Sequence, residues 1–192
     1  EVDTKNVEEF IATVKNIAPT FGGINLEDIA APEAFEIERR LKEELDIPVM
    51  HDDQHGTAII SSAALLNALE LADKKIEDVK IVVSGAGSAA ISCTALYVKL
   101  GARPENIMMF DIDGLITKSR TDLGKMQMQF ATDAAPMTLA EAMKDSDVFL
   151  GLSAGNIVSQ EMVQSMSQDP IVFAMANPDP EIDYDLAMAA RE

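Results

Sequence analysis

Two stretches of this 192-residue chain carry side chains dense enough to do chemistry. In the first, Glu27 and Asp28 follow Ile24-Asn-Leu, and His51-Asp52-Asp53-Gln54-His55-Gly56 lies further along. Four acids with few local cations repel one another unless some bind a metal, accept backbone hydrogen bonds or face water. Hard oxygen donors suit magnesium or manganese better than zinc. His51 and His55 lack the helical pattern, with an embedded glutamate, of a zinc hydrolase. Spacing alone leaves two readings open: a divalent-cation site, or caps and turns made by Asp28 and Asp52 with the other acids on a polar rim.

The second stretch is Lys80-Ile-Val-Val-Ser-Gly-Ala-Gly-Ser-Ala-Ala90, an apolar run followed at once by a glycine-rich turn. Gly85 can make the tight turn. Gly87 would let the backbone approach a pyrophosphate held at the N-terminus of the next helix, and Ala90 supplies the third small position. Asp111 follows strand-like Asn106–Phe110 at the spacing of a carboxylate that accepts from a ribose hydroxyl. An ordinary turn after an apolar strand is the plainer alternative, and the agreement of four features favours a dinucleotide.

The elements that must hold these residues read as α/β grammar. Apolar residues 7, 10, 11, 14 and 17 mark a helix over Asn6–Ile17, Pro19–Asn25 breaks it into an extended passage, and a helix resumes over Pro32–Leu45. The pattern then predicts helices over 57–71, 88–100, 122–130, 139–144 and 160–166, with strands over 79–84, 107–110, 148–150 and 171–174. The expected fold is a doubly wound, mostly parallel Rossmann-like sheet over residues 57–192, preceded by a helical and extended segment over 1–56.

Composition narrows the partners. A 47% hydrophobic content supports a real core, and 33 acids against 15 Lys and Arg give a formal charge of −18, which disfavours nucleic acid and anionic membranes. Cys93, the only cysteine, lies at the apolar start of a helix and reads as a packed thiol. The scattered methionines, Met108, Met109, Met126, Met128, Met137 and Met143 among them, read as core filling. No targeting segment or membrane-spanning run is visible, so the cytoplasm is the expected location.

Four segments add a family resemblance that spacing cannot supply: Phe21–Pro32, Ile47–Ala58, Ile81–Gly87 and Phe173–Ile182. Together they resemble the short-chain malic enzymes of bacteria and archaea. The resemblance implies oxidative decarboxylation of L-malate to pyruvate and carbon dioxide, reduction of NAD or NADP, a need for magnesium or manganese, and a homodimer. It marks Glu27, Asp28 and Asp53 as metal ligands and Asp52 as the neighbour that organises them. It places Gly85, Gly87, Ser88 and Ala89 at the dinucleotide phosphates, Asp111 near the adenosine ribose, and Thr57, Ser153 and Ala154 along the coenzyme. For Thr57 the alternative is a helix cap, and for Ser153 and Ala154 a plain loop. Asn177, at a corner shaped by Pro178, implies an amide that orients a carboxylate or carboxamide near nicotinamide and malate. Asp179 and Glu181 read as solvated acids.

The family takes its tyrosine acid and lysine base from a segment ahead of these residues. Tyr97, Tyr184 and Lys15 do not match them, so the displayed residues read as an internal portion of a longer enzyme that binds coenzyme without turning over malate unaided. The site is expected in an interdomain crevice. Asp111 and Asp113 would repel a 2′-phosphate, which predicts a preference for NAD. The competing readings are another metal-assisted 2-hydroxy-acid dehydrogenase and a nonenzymatic nucleotide-binding or assembly module.

Overall fold

The computed structural model describes residues 2–30 and 32–191. Ala31, inside the Phe21–Pro32 motif, lies outside the described residues, as do Glu1 and Glu192. The chain divides into two compact units, Glu1–Thr57 and Ala58–Glu192.

In the first unit, α1 (Val7–Ile17) begins at Asn6, whose side-chain oxygen accepts from the Glu8 and Glu9 N–H groups. A 3₁₀ turn over Ala18–Thr20, with Pro19 in its first turn, ends that helix. Strand β1 (Ile24–Leu26) pairs in parallel with β2 (Val49–His51), and α2 (Glu33–Glu44) joins them. The unit's core is small: Ile11, Val14, Leu26, Ile37, Leu41 and Val49. Helices α1 and α2 are further tied by Arg40, which forks onto Glu8, and by Lys15 at 2.6 Å from Glu44. The sequence pattern missed β2 because Pro48 was taken only as the end of a helix. The strand is three residues long and takes its support from pairing with β1.

The second unit holds a five-stranded sheet in the order β5-β4-β3-β6-β7. Its strands are β3 (Ile81–Ser84), β4 (Ile107–Asp111), β5 (Gly114–Leu115), β6 (Val148–Gly151) and β7 (Ile171–Ala174). All neighbours are parallel except β5, which folds back antiparallel on β4. Side chains alternate between two cores, as the two-residue period of a strand requires. Ile81, Val83, Met109 and Leu150 pack with Leu65, Leu69, Cys93 and Tyr97 of α3 (Asp52–Leu71) and α4 (Ser88–Lys99). Val82, Phe110 and Phe149 face the other way, onto Ala142 and Met143 of α5 (Leu139–Met143), Val163 of α6 (Gln160–Ser165) and Ala187 of α7 (Tyr184–Ala189). Helices on both faces of a mostly parallel sheet are the doubly wound arrangement expected from the sequence.

Three expectations change. Helix α3 begins at Asp52, five residues before the predicted start, because Gly56 is accommodated within its first turns. The helix predicted over 122–130 shrinks to a 3₁₀ turn at Gln127–Phe130. That segment holds Gly124, and Met126 and Met128 are exposed, leaving only half-buried Leu123 and Phe130 against the core, too little apolar burial to stabilise a longer helix. The methionine reading therefore holds for Met109 and Met143, both fully buried, and fails for these two. Cys93 is the packed thiol expected, and burial pushes its pKa up.

Candidate functional site

In the first unit, β1 delivers Glu27 and Asp28 to the surface and β2 delivers Asp52 and Asp53 to the start of α3. Asp28 adopts a left-handed backbone, φ 57°, a conformation that Asp tolerates better than most residues. Its N–H donates to Asp53 Oδ2 at 3.1 Å. Two of the three expected ligands are thus neighbours, and both Asp52 and Asp53 sit where a helix N-terminus favours negative charge. Glu27 is exposed, and the ligand atoms of Glu27, Asp28 and Asp53 do not all lie within 4.8 Å of one another. Hard carboxylate oxygens, two of them on neighbouring residues, fit magnesium or manganese in donor chemistry.

The two histidines separate. His51 ends β2 and is 1% exposed, with neither ring nitrogen given a hydrogen-bond partner, and its Nδ1 lies 3.9 Å from Asp53 Oδ2. Gln54 Nε2, also buried, lacks a partner as well. His55, within α3, binds Glu38 instead, Nε2 to Oε1 at 2.8 Å. The pair therefore does not form a helical i, i+4 metal clamp. Sequence reasoning missed Glu38, which is 6% exposed and also accepts from the His51 N–H at 3.1 Å and from Lys42 at 2.7 Å. Burial pushes its pKa up, but Lys42 and His55 outweigh that and leave it lowered.

In the second unit the glycine turn is built from main chain. Gly85 follows the last residue of β3 with φ 117°, and a Cβ there would run into the Leu152 carbonyl, so no other residue fits. At Gly87 a Cβ would meet nothing within 4 Å. No side chain caps α4, which leaves the first-turn N–H groups at Ser88 and Ala89 without a side-chain acceptor. An open approach to an uncapped helix N-terminus fits a pyrophosphate.

Asp111 ends β4 on one side of this turn. Its carboxylate is gripped by a residue the sequence reading overlooked: Arg120 Nη1 and Nη2 lie 2.7 and 2.8 Å from its two oxygens. The Asp113 N–H adds a third donor at 2.9 Å. Arg120 also pairs with Asp122 at 2.5 Å, and those two contacts raise the arginine's pKa while Arg120 lowers that of Asp122. Asp111, Asp113 and Asp122 bring their ligand atoms within 4.8 Å of one another, but around an arginine. The signal available in the sequence was a cation shortly after the Gly114 reversal, which folds the chain back onto β4.

On the other side of β3, Ser153 and Ala154 are exposed beyond β6, and Asn177 is exposed beyond β7, where the Asn177–Pro178 peptide bond is cis. Strand order thus puts Asp111 and the Ser153 and Asn177 loops on opposite flanks of the glycine turn, where a dinucleotide would straddle the sheet. Thr57 is half-buried inside α3, so the helix-cap alternative for it falls away. Asp179 is exposed as expected, whereas Glu181 is 0% exposed and is not a solvated acid. Its oxygens accept from two loops, the one after β6 and its own after β7: Oε1 from the Ser153 N–H at 2.9 Å and Oε2 from the Ala176 N–H at 3.1 Å. A cavity of about 760 Å³ beside β7 and α7 is lined by none of the expected site residues.

A Rossmann-like unit with an open glycine turn, joined in one chain to a unit that presents paired carboxylates, has the architecture of the dinucleotide-binding α/β class of proteins. Comparison with known proteins narrows it. The family described as "Malic enzyme, NAD binding domain" matches residues 54–189, and "Malic enzyme, N-terminal domain" matches residues 2–42. The chain belongs to the malic enzyme family. It is 52% identical over 191 residues to the NADP-dependent malic enzyme of Halomonas elongata, covering 100% of this chain and 45% of that protein. It is 53% identical to the NAD-dependent malic enzyme of Geobacillus stearothermophilus, covering 97% of this chain and 39% of that one. The solved NAD-dependent malic enzyme from Thermotoga maritima superposes with a TM-score of 0.91 at 42% identity, over 98% of this chain and 51% of that chain. The chain therefore spans about half the length, or less, of these relatives. A D-isomer specific 2-hydroxyacid dehydrogenase, at 12% identity and TM-score 0.54, shares the fold alone. Among the described residues no helix is long and apolar enough to cross a membrane.

Proposed function

We propose that this chain works as part of a longer malic enzyme, which converts L-malate to pyruvate and carbon dioxide while reducing a nicotinamide coenzyme. The observation that carries the reading is the family match over residues 54–189, backed by about 50% identity to malic enzymes with either coenzyme. In it, residues 1–56 are the part of the malic domain that holds the metal through Glu27, Asp28 and Asp53, and residues 57–192 bind the coenzyme. When bound, magnesium or manganese supplies a Lewis acid that lowers the pKa of the malate hydroxyl and stabilises negative charge on the same oxygen during decarboxylation. Asp52, whose carboxylate lies against Gly56 in the first turns of α3, keeps the acidic corner in place.

The chain's own residues bind and orient. The N–H groups at Ser88 and Ala89 take the phosphates, and Gly85 and Gly87 make room for them. Asp111 retains capacity for a ribose hydroxyl beyond what Arg120 and the Asp113 N–H use. Ser153, Ala154 and Thr57 flank the coenzyme, and the Asn177 amide orients a carboxylate or carboxamide. NAD is the preferred coenzyme, because the cation held against Asp111, Arg120, is already shared among Asp111, Asp113 and Asp122 and has little attraction left for a 2′-phosphate. A homodimer in the cytoplasm belongs to the same reading.

The test is the full-length enzyme supplied with magnesium or manganese, L-malate and each coenzyme in turn, with reduced coenzyme and pyruvate both measured. Pyruvate formed in step with NADH is the expected result. Coenzyme reduction with accumulating oxaloacetate would turn the assignment into a simple dehydrogenase. Nucleotide binding without turnover would leave a binding module, and tighter binding of NADP at ordinary salt would overturn the NAD preference alone.

A further inference from the structure

Glu181, in the loop after β7, is a fully buried carboxylate whose hydrogen-bond partners lie in the loop after β6 and at the start of its own loop. Oε1 accepts from the Ser153 N–H at 2.9 Å and, at 3.5 Å, from the Ser153 hydroxyl, while Oε2 accepts from the Ala176 N–H at 3.1 Å. Ser153 Oγ in turn lies 2.8 Å from Ser84 Oγ at the end of β3. Backbone bonds run the same way: Val158 N–H donates to the Glu181 carbonyl and Asn156 N–H to the Pro180 carbonyl, each at 2.9 Å. The close fit extends to Gly151, the last residue of β6, where any Cβ would overlap the Glu181 carboxylate. The ends of β6 and β7 are thereby linked through Glu181, and the end of β3 joins them through the Ser153 hydroxyl.

Burying a carboxylate is costly unless its oxygens are satisfied, so a position that needed only bulk would be filled better by Leu or Met. What a carboxylate offers is two acceptor oxygens with no donor between them, able to take an N–H from each of two loops. Those loops carry Ser153 and Ala154 on one side and Asn177 on the other. We infer that Glu181 is a positioning residue for the nicotinamide half of the coenzyme site: it clamps the loop after β6 to the loop after β7 so that both meet the dinucleotide in one preset geometry. The inference rests on the malic enzyme reading only for the identity of the ligand. Asp111 lies on the far side of β3 and is untouched by the clamp, so the adenosine end should not depend on it.

The experiment uses Glu181→Gln in the full-length enzyme and measures dissociation constants for NAD and for AMP by titration, beside kcat and KM for malate. Gln keeps the shape but turns an N–H₂ toward one of the two N–H donors. Expected are a rise of about tenfold in the NAD constant, AMP binding within about twofold of the parent, and a fall of about 10²-fold in kcat/KM for malate as Asn177 loses its place. A generally loosened fold would weaken both ligands together, and that result would overturn the inference, as would unchanged NAD binding and turnover. Glu181→Asp is the second variant, since it keeps the charge but falls short of one loop and should show the same selective loss in milder form. Failure of both variants to fold would overturn the inference by making Glu181 a requirement of folding. Wild-type enzyme that binds NAD without converting malate would instead defeat the functional reading and leave the nucleotide test of the clamp standing.

Discussion

The acidic corner of the first unit and the glycine turn of the second do their work with different parts of the chain. At the turn, the surface proposed to meet the coenzyme phosphates is backbone, set by the φ of 117° at Gly85, the open space beside Gly87 and the uncapped start of α4. At the acidic corner the groups proposed as ligands are carboxylates on a surface loop and a helix end, over a small apolar core, and one backbone N–H joins Asp28 to Asp53. A main-chain site is shaped by folding alone. On the proposed reading, a site of mutually repelling carboxylates would be completed by the cation that draws them together, so its geometry would depend on the metal as well as on the fold.

Asp53→Asn in the full-length enzyme is the substitution that would break this contrast most visibly. It removes a proposed charged oxygen ligand without touching the turn, so metal-dependent malate turnover should fall by at least about 10²-fold, and raising magnesium should rescue it only partly. NAD affinity should stay within about twofold. A normal metal titration with near-normal turnover would remove Asp53 from the ligand set, leaving its bond to the Asp28 N–H as its whole role.

Gly85→Ala probes the opposite case. The left-handed backbone and the Leu152 carbonyl act together against a side chain, so the second unit should lose about 2–4 kcal/mol of stability and NAD binding should fall with it. Chemical denaturation and nucleotide titration on the same sample read both losses. A stable variant that binds NAD normally would show that the turn tolerates more than its geometry implies.

The same contrast explains what could be read from the sequence. Ser88–Leu100 announced α4 to within a residue because glycine, small residues and a helical period coincide there, and each reports a local backbone requirement. The sheet followed from apolar runs at β3, β4, β6 and β7. Arg120 and Glu181 were invisible for a different reason: each acts through a partner that is distant in sequence or brought close only by a reversal of the chain. Glu181 stands among Asp179, Pro180 and Asp183, where composition suggests a solvated turn, and only the approach of Ser153, 28 positions away, shows what it does. Strand β2 failed on length, since three residues carry too little pattern to outweigh Pro48.

A smaller effect sharpens the account of how the second unit stays rigid. Lys74 Nζ lies 2.8 Å from Asp147 Oδ1, and Asp147 also accepts from the Lys80 N–H at 2.9 Å and the Ser167 hydroxyl at 2.7 Å. Burial pushes the Asp147 pKa up, but these donors outweigh it and hold the group below its ordinary 3.8. A carboxyl whose folded pKa is depressed adds stability that is complete above its unfolded value and is lost as pH falls through the folded one. Lys74→Met should therefore cost about 1–2 kcal/mol at neutral pH, and the gap between variant and parent should shrink below about pH 4. Urea melts at both pH values decide it, and a gap independent of pH would mean that Lys74 contributes through packing of its stem.

The smallest expected effect compares the two units directly through matched helix caps. Asn6 Oδ1 accepts from the Glu8 and Glu9 N–H groups at the start of α1, and Thr138 closes a reciprocal capping box with Glu141 at the start of α5. Replacing either by Ala leaves first-turn N–H groups without their acceptor, at a local cost of about 1 kcal/mol in each case. The consequences should differ, because α1 rests on the small first core whereas α5 packs on Phe149 and Val82 of the sheet. Asn6→Ala should open α1 locally, raising amide exchange through α1 by about fivefold, while Thr138→Ala should raise exchange only in the first turn of α5. Equal spread of exchange in both variants would mean that the first unit is as cooperatively packed as the second. The proposed dependence of the acidic corner on a metal would then have to come from charge repulsion alone.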